Sequence, residues 1–162
     1  RVPPTHVDTL SIAGMSVDMS ASMLFSYASE FLEADSVLST HARERPVRYH
    51  LVCHSIELSL KAFLATKGFT IAKMSAKPFG HDLTRTLDTA LKHDILAVIP
   101  LTPQNIKDIH EANKYYATKT FEYPALLEAI TDYPGLPRFT SLREIALVLV
   151  DSLQPIHDRL EM

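Results

Sequence analysis

Apolar residues cover nearly the whole circumference of one predicted helix, residues 47–67. At about 100° per residue, the polar strip that remains is narrow. It contains four residues, which we call the seam: His50, His54, Glu57 and Lys61. Pro46 suits the first helical position, and Gly68 suits the position after the last. Because a helix that is apolar almost all round is buried, this pattern predicts a central helix with one ionisable seam.

Helical spacing of apolar residues also predicts a long helix before the central one and another at the end of the chain. The first covers residues 20–38 and places six apolar residues on one face: Leu24, Tyr27, Ala28, Phe31, Ala34 and Leu38. The last is expected to begin at a capping box that Ser141 opens. Pro155 is expected to kink or end it near Gln154, because proline lacks a backbone donor.

Two shorter helices are predicted between the long ones by their capping residues. Asp82 is suited to cap the first of them, and Thr102 followed by Pro103 is suited to start the second. The Pro-rich segment 119–140 predicts an irregular connection with one short helix over residues 125–131.

The predicted fold class is all-α, a single up-and-down bundle of about four or five helices over residues 20–162. Residues 1–19 are expected to form an N-terminal arm, because prolines near its start block regular pairing. Met15 and Val17 alternate with polar residues, which is typical of an extended segment. No segment alternates well enough to predict a sheet strand.

Composition and charge exclude several classes of function. The 162 residues are 46% hydrophobic and 22% charged, as in one folded domain, and the net charge of −3 gives no global basic field for nucleic acid. The single cysteine, Cys53, excludes an intramolecular disulfide, and its place on the apolar side of the central helix predicts a buried, inert thiol. The longest apolar run, residues 145–150, is too short to span a membrane, and no secretory signal opens the chain. We therefore expect a cytoplasmic protein without membrane contact.

The seam offers more than one kind of chemistry. His50 and His54 are one helical turn apart and could reach a divalent ion together with Glu57. The favoured interpretation is a structural or ligand-facing polar seam, in which Glu57 and Lys61 form an i, i+4 ion pair, and no bound metal is expected. The basic segment 41–50 could position phosphates.

Three stretches, in this order, resemble the HEPN family of small helical domains. Residues 55–64, followed by Gly68, are similar to a family signature with a Glu and a Lys in an aliphatic run before a glycine. The letters GHDL at residues 80–83 are similar to the opening of the family's third helix. Residues 115–124 are similar to a segment that usually ends in Arg-Tyr-Pro, with Glu122 in place of the Arg. The resemblance spans about residues 20–125.

The resemblance implies a helical bundle that often forms a homodimer. It also implies one of several roles: RNA cleavage by toxins and defence proteins, nucleotide binding beside a nucleotidyltransferase, or scaffolding. Active ribonucleases of the family carry an Arg followed a few residues later by a His, near the start of a late helix. Here the late helix offers Arg143 without a His at that spacing. Arg45 and His50 have the spacing, but they lie at the start of the second helix.

The first hypothesis is therefore a non-catalytic HEPN-like module, without a cofactor, that binds a nucleotide, a nucleic acid or a protein partner such as a nucleotidyltransferase or an antitoxin. Its expected ligand-binding residues are His54, Glu57, Lys61, His81, Lys114 and Tyr115. In this hypothesis Lys61 and Lys114 face phosphate and Tyr115 stacks on a base. The alternative is a metal-independent ribonuclease in which His50 is the acid/base and Arg45 steadies the phosphorane.

Overall fold

The computed structural model of the chain describes residues 9–12, 15–39, 46–123 and 133–162. Over these residues it is a bundle of six α-helices, of which the third is a single short turn. The helices are α1 (Met19–Leu38), α2 (Pro46–Thr66), α3 (Ile71–Ser75), α4 (Leu83–Lys92), α5 (Pro103–Tyr116) and α6 (Phe139–Glu161). A 3-10 turn (Ile95–Ala97) follows α4. The all-α fold class predicted from the sequence is confirmed.

A short hairpin precedes the bundle. Strand β1 (Thr9–Ile12) pairs antiparallel with β2 (Met15–Asp18), and Leu10 lies opposite Val17. The alternation of Met15 and Val17 predicts an extended backbone here, but the expectation that no segment forms a sheet strand is wrong, because two short extended segments pair with each other. The strand β2 runs directly into α1.

Helix α2 lies at the centre of the bundle, because it contacts α1, α4, α5 and α6. From Val52 to Ala65 every residue except His54 is buried. The helix starts at Pro46, as predicted, and the chain turns away at Gly68, whose φ of +89° is accessible to glycine without steric cost. The prediction of a buried central helix is therefore confirmed.

Helix α1 buries a face one position away from the predicted one. The buried apolar residues of α1 are Ala21, Leu24, Phe25, Ala28 and Leu32. Tyr27 and Ala34 are exposed, so their assignment to the core is wrong. The face continues through the fully buried Asp35, which binds Arg48 of α2. Hydropathy alone assigns such a residue to the surface, and this moves the predicted face away from the true one.

The two short capped helices occur as predicted. The Asp82 carboxylate accepts a hydrogen bond from the Arg85 backbone N–H and caps α4. Thr102 forms a reciprocal capping box with Asn105 at the start of α5. Asn113 of α5 also accepts a hydrogen bond, 2.8 Å long, from the backbone N–H of Leu83, which joins α5 to the start of α4. Helix α3 is an addition, because no helix is predicted between Gly68 and Asp82, and it brings the described α-helices to six where four or five are predicted.

Helix α6 differs from its prediction at both ends. It begins at Phe139 rather than at Ser141, and it continues through Pro155 to Glu161, so of the two expected effects of Pro155, a kink or an end near Gln154, the end is wrong. A proline removes only one backbone donor, and the turns after it are held by α1. The His157 ring stacks on Phe25, 4.5 Å between centroids, and its Nδ1 lies 2.9 Å from Ser22 Oγ.

Two predictions fall outside the described residues. They are the short helix over 125–131 and the placement of Arg45. Among the helices that are described, none combines the length and the hydropathy that a bilayer-crossing segment requires.

Candidate functional site

The carboxylate of Glu57, on α2, is the centre of a buried polar cluster. Lys61 Nζ donates to Glu57 Oε1 at 2.6 Å. The other oxygen, Oε2, accepts a hydrogen bond from the Tyr116 hydroxyl and one of 3.1 Å from His81 Nδ1. His54 Nδ1 lies 3.4 Å from the same oxygen and 2.7 Å from the Tyr116 hydroxyl oxygen. We call this set the Glu57 cluster: His54, Glu57, Lys61, His81 and Tyr116.

Three separate segments bring these side chains together. His54 and Lys61 lie three residues before and four residues after Glu57 on α2, so all three share one face of that helix. His81 comes from the turn before α4, and Tyr116 is the last residue of α5. The turn is fixed to the cluster because Lys61 Nζ also donates to the Gly80 carbonyl at 2.7 Å.

The charges of the cluster follow from its hydrogen bonds. Burial alone would raise the pKa of Glu57, but hydrogen bonds from His54, Lys61 and Tyr116, with the attraction of the Lys61 charge, outweigh it and hold this pKa at about 2. Burial and the neighbouring Glu57 charge raise the pKa of Tyr116 far above its usual range. At neutral pH the cluster therefore contains a carboxylate, with a protonated phenol that donates to it.

The cluster extends from the core to the surface. The side chains of Glu57 and Lys61 are 1% and 8% exposed, whereas His54 is 19% exposed and His81 is 57% exposed. The half of the carboxylate that carries Oε2 thus faces imidazoles that reach solvent. The half that carries Oε1 is closed by an ammonium group.

Four of the six ligand-binding residues expected from the sequence are members of the cluster: His54, Glu57, Lys61 and His81. The role expected of Lys61 needs correction. Its ammonium group is buried and bonded to Glu57 and to the Gly80 carbonyl, so it does not face solvent as a phosphate-binding cation would.

The other two expected residues have different surroundings. Lys114 is exposed and pairs with Glu111 at 2.6 Å. Tyr115 is buried against Phe121 and Tyr133, and its hydroxyl donates to the Pro134 carbonyl, so the expectation of an exposed stacking ring is corrected. The tyrosine in the cluster is the next residue, Tyr116. Tyr116 shares the apolar face of α5 with Ile106, Ile109 and Ala112, a position that is typical of a core residue, and only its hydroxyl indicates a polar partner.

His50, the catalytic histidine of the ribonuclease alternative, lies at the edge of the cluster. Its ring is parallel to that of His54 with 5.8 Å between centroids, and its Nδ1 lies 3.7 Å from a Glu122 carboxylate oxygen. Burial lowers its pKa, although Glu122 opposes this. Its proposed partner Arg45 lies outside the described residues. The third residue that joins His54 and Glu57 is thus His81, and not His50 as in the metal site considered from the sequence.

A groove between α3 and α4, which no sequence motif indicated, brings together positive charges from different segments of the chain. Its volume is about 380 Å³. Its lining residues are Phe69, Lys73, Pro78, Phe79, Arg85, Asp88, Thr89 and Lys92. We call it the basic groove, since three cations face one carboxylate. The sequence feature that could have indicated the groove is the spacing of Arg85, Asp88 and Lys92, which places these residues on one face of α4.

The remaining candidate nucleophile is inert. Cys53 is fully buried, and burial raises the pKa of its thiol far above its usual range, which confirms the predicted buried thiol.

Comparison with known proteins does not assign the chain to a family. No protein-family model, no curated protein and no solved structure matches it. The resemblance to the HEPN family therefore stays a prediction.

Proposed function

We propose that the chain is a non-catalytic, HEPN-like helical module that binds a phosphate-bearing ligand, a nucleotide or RNA, in the basic groove. The observation that carries this proposal is the groove itself, with its volume of about 380 Å³ and its three cations beside two phenylalanines. This volume falls within the range of about 300–1,000 Å³ that is usual for small-molecule sites.

The charge of the groove favours an anion. Lys73, Arg85 and Lys92 are all exposed, and the single opposing carboxylate, Asp88, accepts a hydrogen bond of 3.0 Å from His110. The groove therefore has a local positive charge, although the whole chain has a net charge of −3. Lys and Arg on a partly desolvated surface are the usual partners of phosphate oxygens.

Aromatic rings provide a second kind of contact in the groove. Phe69 is partly buried, and Lys73 Nζ lies 4.5 Å from its ring centroid. Phe79 packs edge-on against Phe69, with 6.1 Å between centroids. Phe79 is buried, so Phe69 is the ring that is available for a base to stack on while the phosphate pairs with Lys or Arg.

In this proposal the Glu57 cluster supports the groove. Lys61 holds the Gly80 carbonyl, and Asp82 caps α4, so the turn that carries Pro78 and Phe79 is fixed at the side that leads into α4. We thus assign ligand binding to the groove and not to the seam. The resemblance to the HEPN family extends the proposal to a homodimer and to a nucleotidyltransferase or antitoxin partner.

The test is a charge-reversal experiment read by calorimetry and by fluorescence of a labelled nucleotide and a labelled RNA. The double variant Arg85→Glu/Lys92→Glu is expected to lose at least about tenfold in affinity, because two phosphate contacts become repulsive. The matched control is Lys107→Glu/Arg159→Glu, which changes the net charge equally at exposed positions on α5 and α6. Equal losses of affinity in both variants would show that the effect comes from the net charge of the chain, and this would contradict the proposal.

The same RNA samples also test the ribonuclease alternative. We expect no cleavage and no difference between the wild type and His50→Ala. Cleavage that disappears in His50→Ala would replace the binding proposal with the catalytic one.

A further inference from the structure

We infer that His54, Glu57 and His81 form a binding site for a divalent transition metal ion of the zinc class. One ligand atom from each of these side chains lies within 4.8 Å of the other two. Two imidazoles and a carboxylate are a donor set that Zn²⁺, Co²⁺ and Ni²⁺ accept. This inference goes beyond the proposed function and rests on residues outside the basic groove.

The ligand-to-ligand distances fit a metal ion with tetrahedral coordination. Metal–nitrogen and metal–oxygen bonds of about 2.0–2.2 Å place neighbouring ligand atoms about 3.3–3.6 Å apart on a tetrahedron. Glu57 Oε2 lies 3.4 Å from His54 Nδ1 and 3.1 Å from His81 Nδ1. Two edges of the coordination polyhedron are therefore already formed around one carboxylate oxygen, and the third requires the two imidazoles to converge.

The ligands of the site differ in their freedom to move, since Glu57 is held in place and His81 can adjust its ring. Glu57 is held by Lys61 on its other oxygen, as ligating carboxylates are usually held by a further hydrogen bond. His81 is 57% exposed, so its ring can adjust toward His54 without disturbing the core. The exposed side of His81 also leaves the fourth coordination position open toward solvent.

The hydrogen bonds of the cluster show what the metal ion would replace. The proton on His81 Nδ1 now points to Glu57 Oε2, and the proton on His54 Nδ1 lies between Glu57 Oε2, at 3.4 Å, and the Tyr116 hydroxyl oxygen, at 2.7 Å. Metal binding moves these protons to the far ring nitrogens or to solvent, because an imidazole binds a metal through its unprotonated nitrogen. The Tyr116 hydroxyl keeps its hydrogen bond to Glu57 and then lies beside the ion. The nearby Lys61 ammonium opposes the cation, so we expect weaker binding than in a site without it.

The experiment uses tag-free chain, treated with a chelator and then titrated with ZnCl₂ by calorimetry. Titration with CoCl₂ adds the visible absorption that reports tetrahedral Co²⁺. The wild type is expected to bind one ion per chain and to show this absorption. His81→Ala is expected to weaken the binding at least about tenfold and to remove the absorption, because it deletes an exposed ligand without opening the core.

Two histidine variants serve as matched controls. His110→Ala removes a histidine that pairs with Asp88 outside the cluster, and His50→Ala removes the neighbour that stacks on His54. Both are expected to bind Zn²⁺ as the wild type does. An equal loss of Zn²⁺ affinity in His110→Ala and His81→Ala would indicate adventitious binding to histidines. A loss of affinity confined to His50→Ala would indicate a site made of His50, His54 and Glu57. Either result overturns the inference, and so does a wild type that binds no Zn²⁺.

The same samples separate this inference from the proposed function. Arg85→Glu/Lys92→Glu is expected to bind Zn²⁺ normally, and His81→Ala is expected to bind the nucleotide in the presence of chelator. Failure of metal binding therefore leaves the basic groove untouched, and failure of nucleotide binding leaves the metal site untouched.

Discussion

Among the described residues, two buried carboxylates have cationic partners, and one of the two, Glu57, is connected to the surface by titratable groups. Asp35 accepts hydrogen bonds from Arg48 on both oxygens, at 2.7 and 3.2 Å, and a third from Arg143 at 3.2 Å. Both oxygens are thus bound to guanidinium groups, which stay charged at all ordinary pH values. Glu57 has one oxygen on Lys61 and the other in front of imidazoles.

The comparison shows that equal burial of two carboxylates does not give them equal chemistry. Asp35 and Glu57 are both buried, and each links α2 to other elements of the bundle. Asp35 joins α1, α2 and α6 with fixed charges, and Arg48 is further packed over the Phe139 ring at 4.2 Å. It is a structural clamp. The Glu57 cluster presents ligands that can exchange protons or a metal ion, because its outer members are histidines.

The largest expected effect comes from breaking the Asp35 clamp. Asp35→Asn keeps the shape but leaves Arg48, which is 7% exposed, without a counter-charge. We expect a loss of about 3–5 kcal/mol in the free energy of unfolding, measured by urea denaturation followed by circular dichroism. Arg143→Ala is the control with a smaller loss of about 1 kcal/mol, because Arg48 still pairs with Asp35. A stability of Asp35→Asn equal to the wild type would refute the clamp.

Glu57→Gln is expected to destabilise somewhat less, by about 3 kcal/mol, since the Lys61 ammonium keeps its bond to the Gly80 carbonyl. Urea denaturation in the presence of a chelator measures this loss. The double variant Glu57→Gln/Lys61→Met is expected to recover part of it, because it removes the unpaired charge together with its partner. A double variant that is less stable than Glu57→Gln would contradict this electrostatic explanation.

The pH dependence of stability is expected to separate wild type from Glu57→Gln. In the folded chain the pKa of Glu57 is about 2, below its ordinary value of 4.5, so the unfolded state binds more protons in this range. The stabilisation from Glu57 is therefore present above pH 4.5 and is lost as the pH falls toward 2. Unfolding measured across this window in chelator should show a steeper acid loss for the wild type. If the free energy of unfolding fell equally with pH in the wild type and in Glu57→Gln, Glu57 would not be the source of the acid loss.

His81→Ala is expected to give the smallest change in stability, within about 0.5 kcal/mol in chelator, because the removed ring is more than half exposed. Thermal unfolding of the metal-free protein measures it. This result would sharpen the contrast with Asp35→Asn. The Glu57 carboxylate would tolerate the loss of its outer partner His81, whereas the fold would not tolerate the loss of the charge on Asp35. A cost above about 2 kcal/mol would instead make His81 a structural element of the core.

The sequence predicted the central helix and its seam well, and it failed where partners come from other segments. The bounds of α2 follow from local signals, Pro46 and Gly68, together with an apolar pattern of helical period. Asp35 illustrates the limit, because the residue that neutralises it belongs to the next helix. No periodicity within α1 contains that information.

The candidate site also divides into residues that one helix brings together and residues that come from other segments. His54, Glu57 and Lys61 could be grouped because they are neighbours on one helix face. The spacing of α5 places Tyr116 on its apolar face, but only the packing of α5 against α2 decides that the Tyr116 hydroxyl reaches Glu57. The basic groove was missed because Lys73 and Arg85 belong to different helices.

The hydrogen bond from the Leu83 backbone N–H to Asn113 has a consequence for local opening of the bundle. The same amide group of Asn113 donates to Asp82 and Thr84, at 3.0 and 3.1 Å. The first turn of α4 cannot fray while α5 stays docked, so these two helices should exchange their backbone protons with deuterium as one cooperative unit.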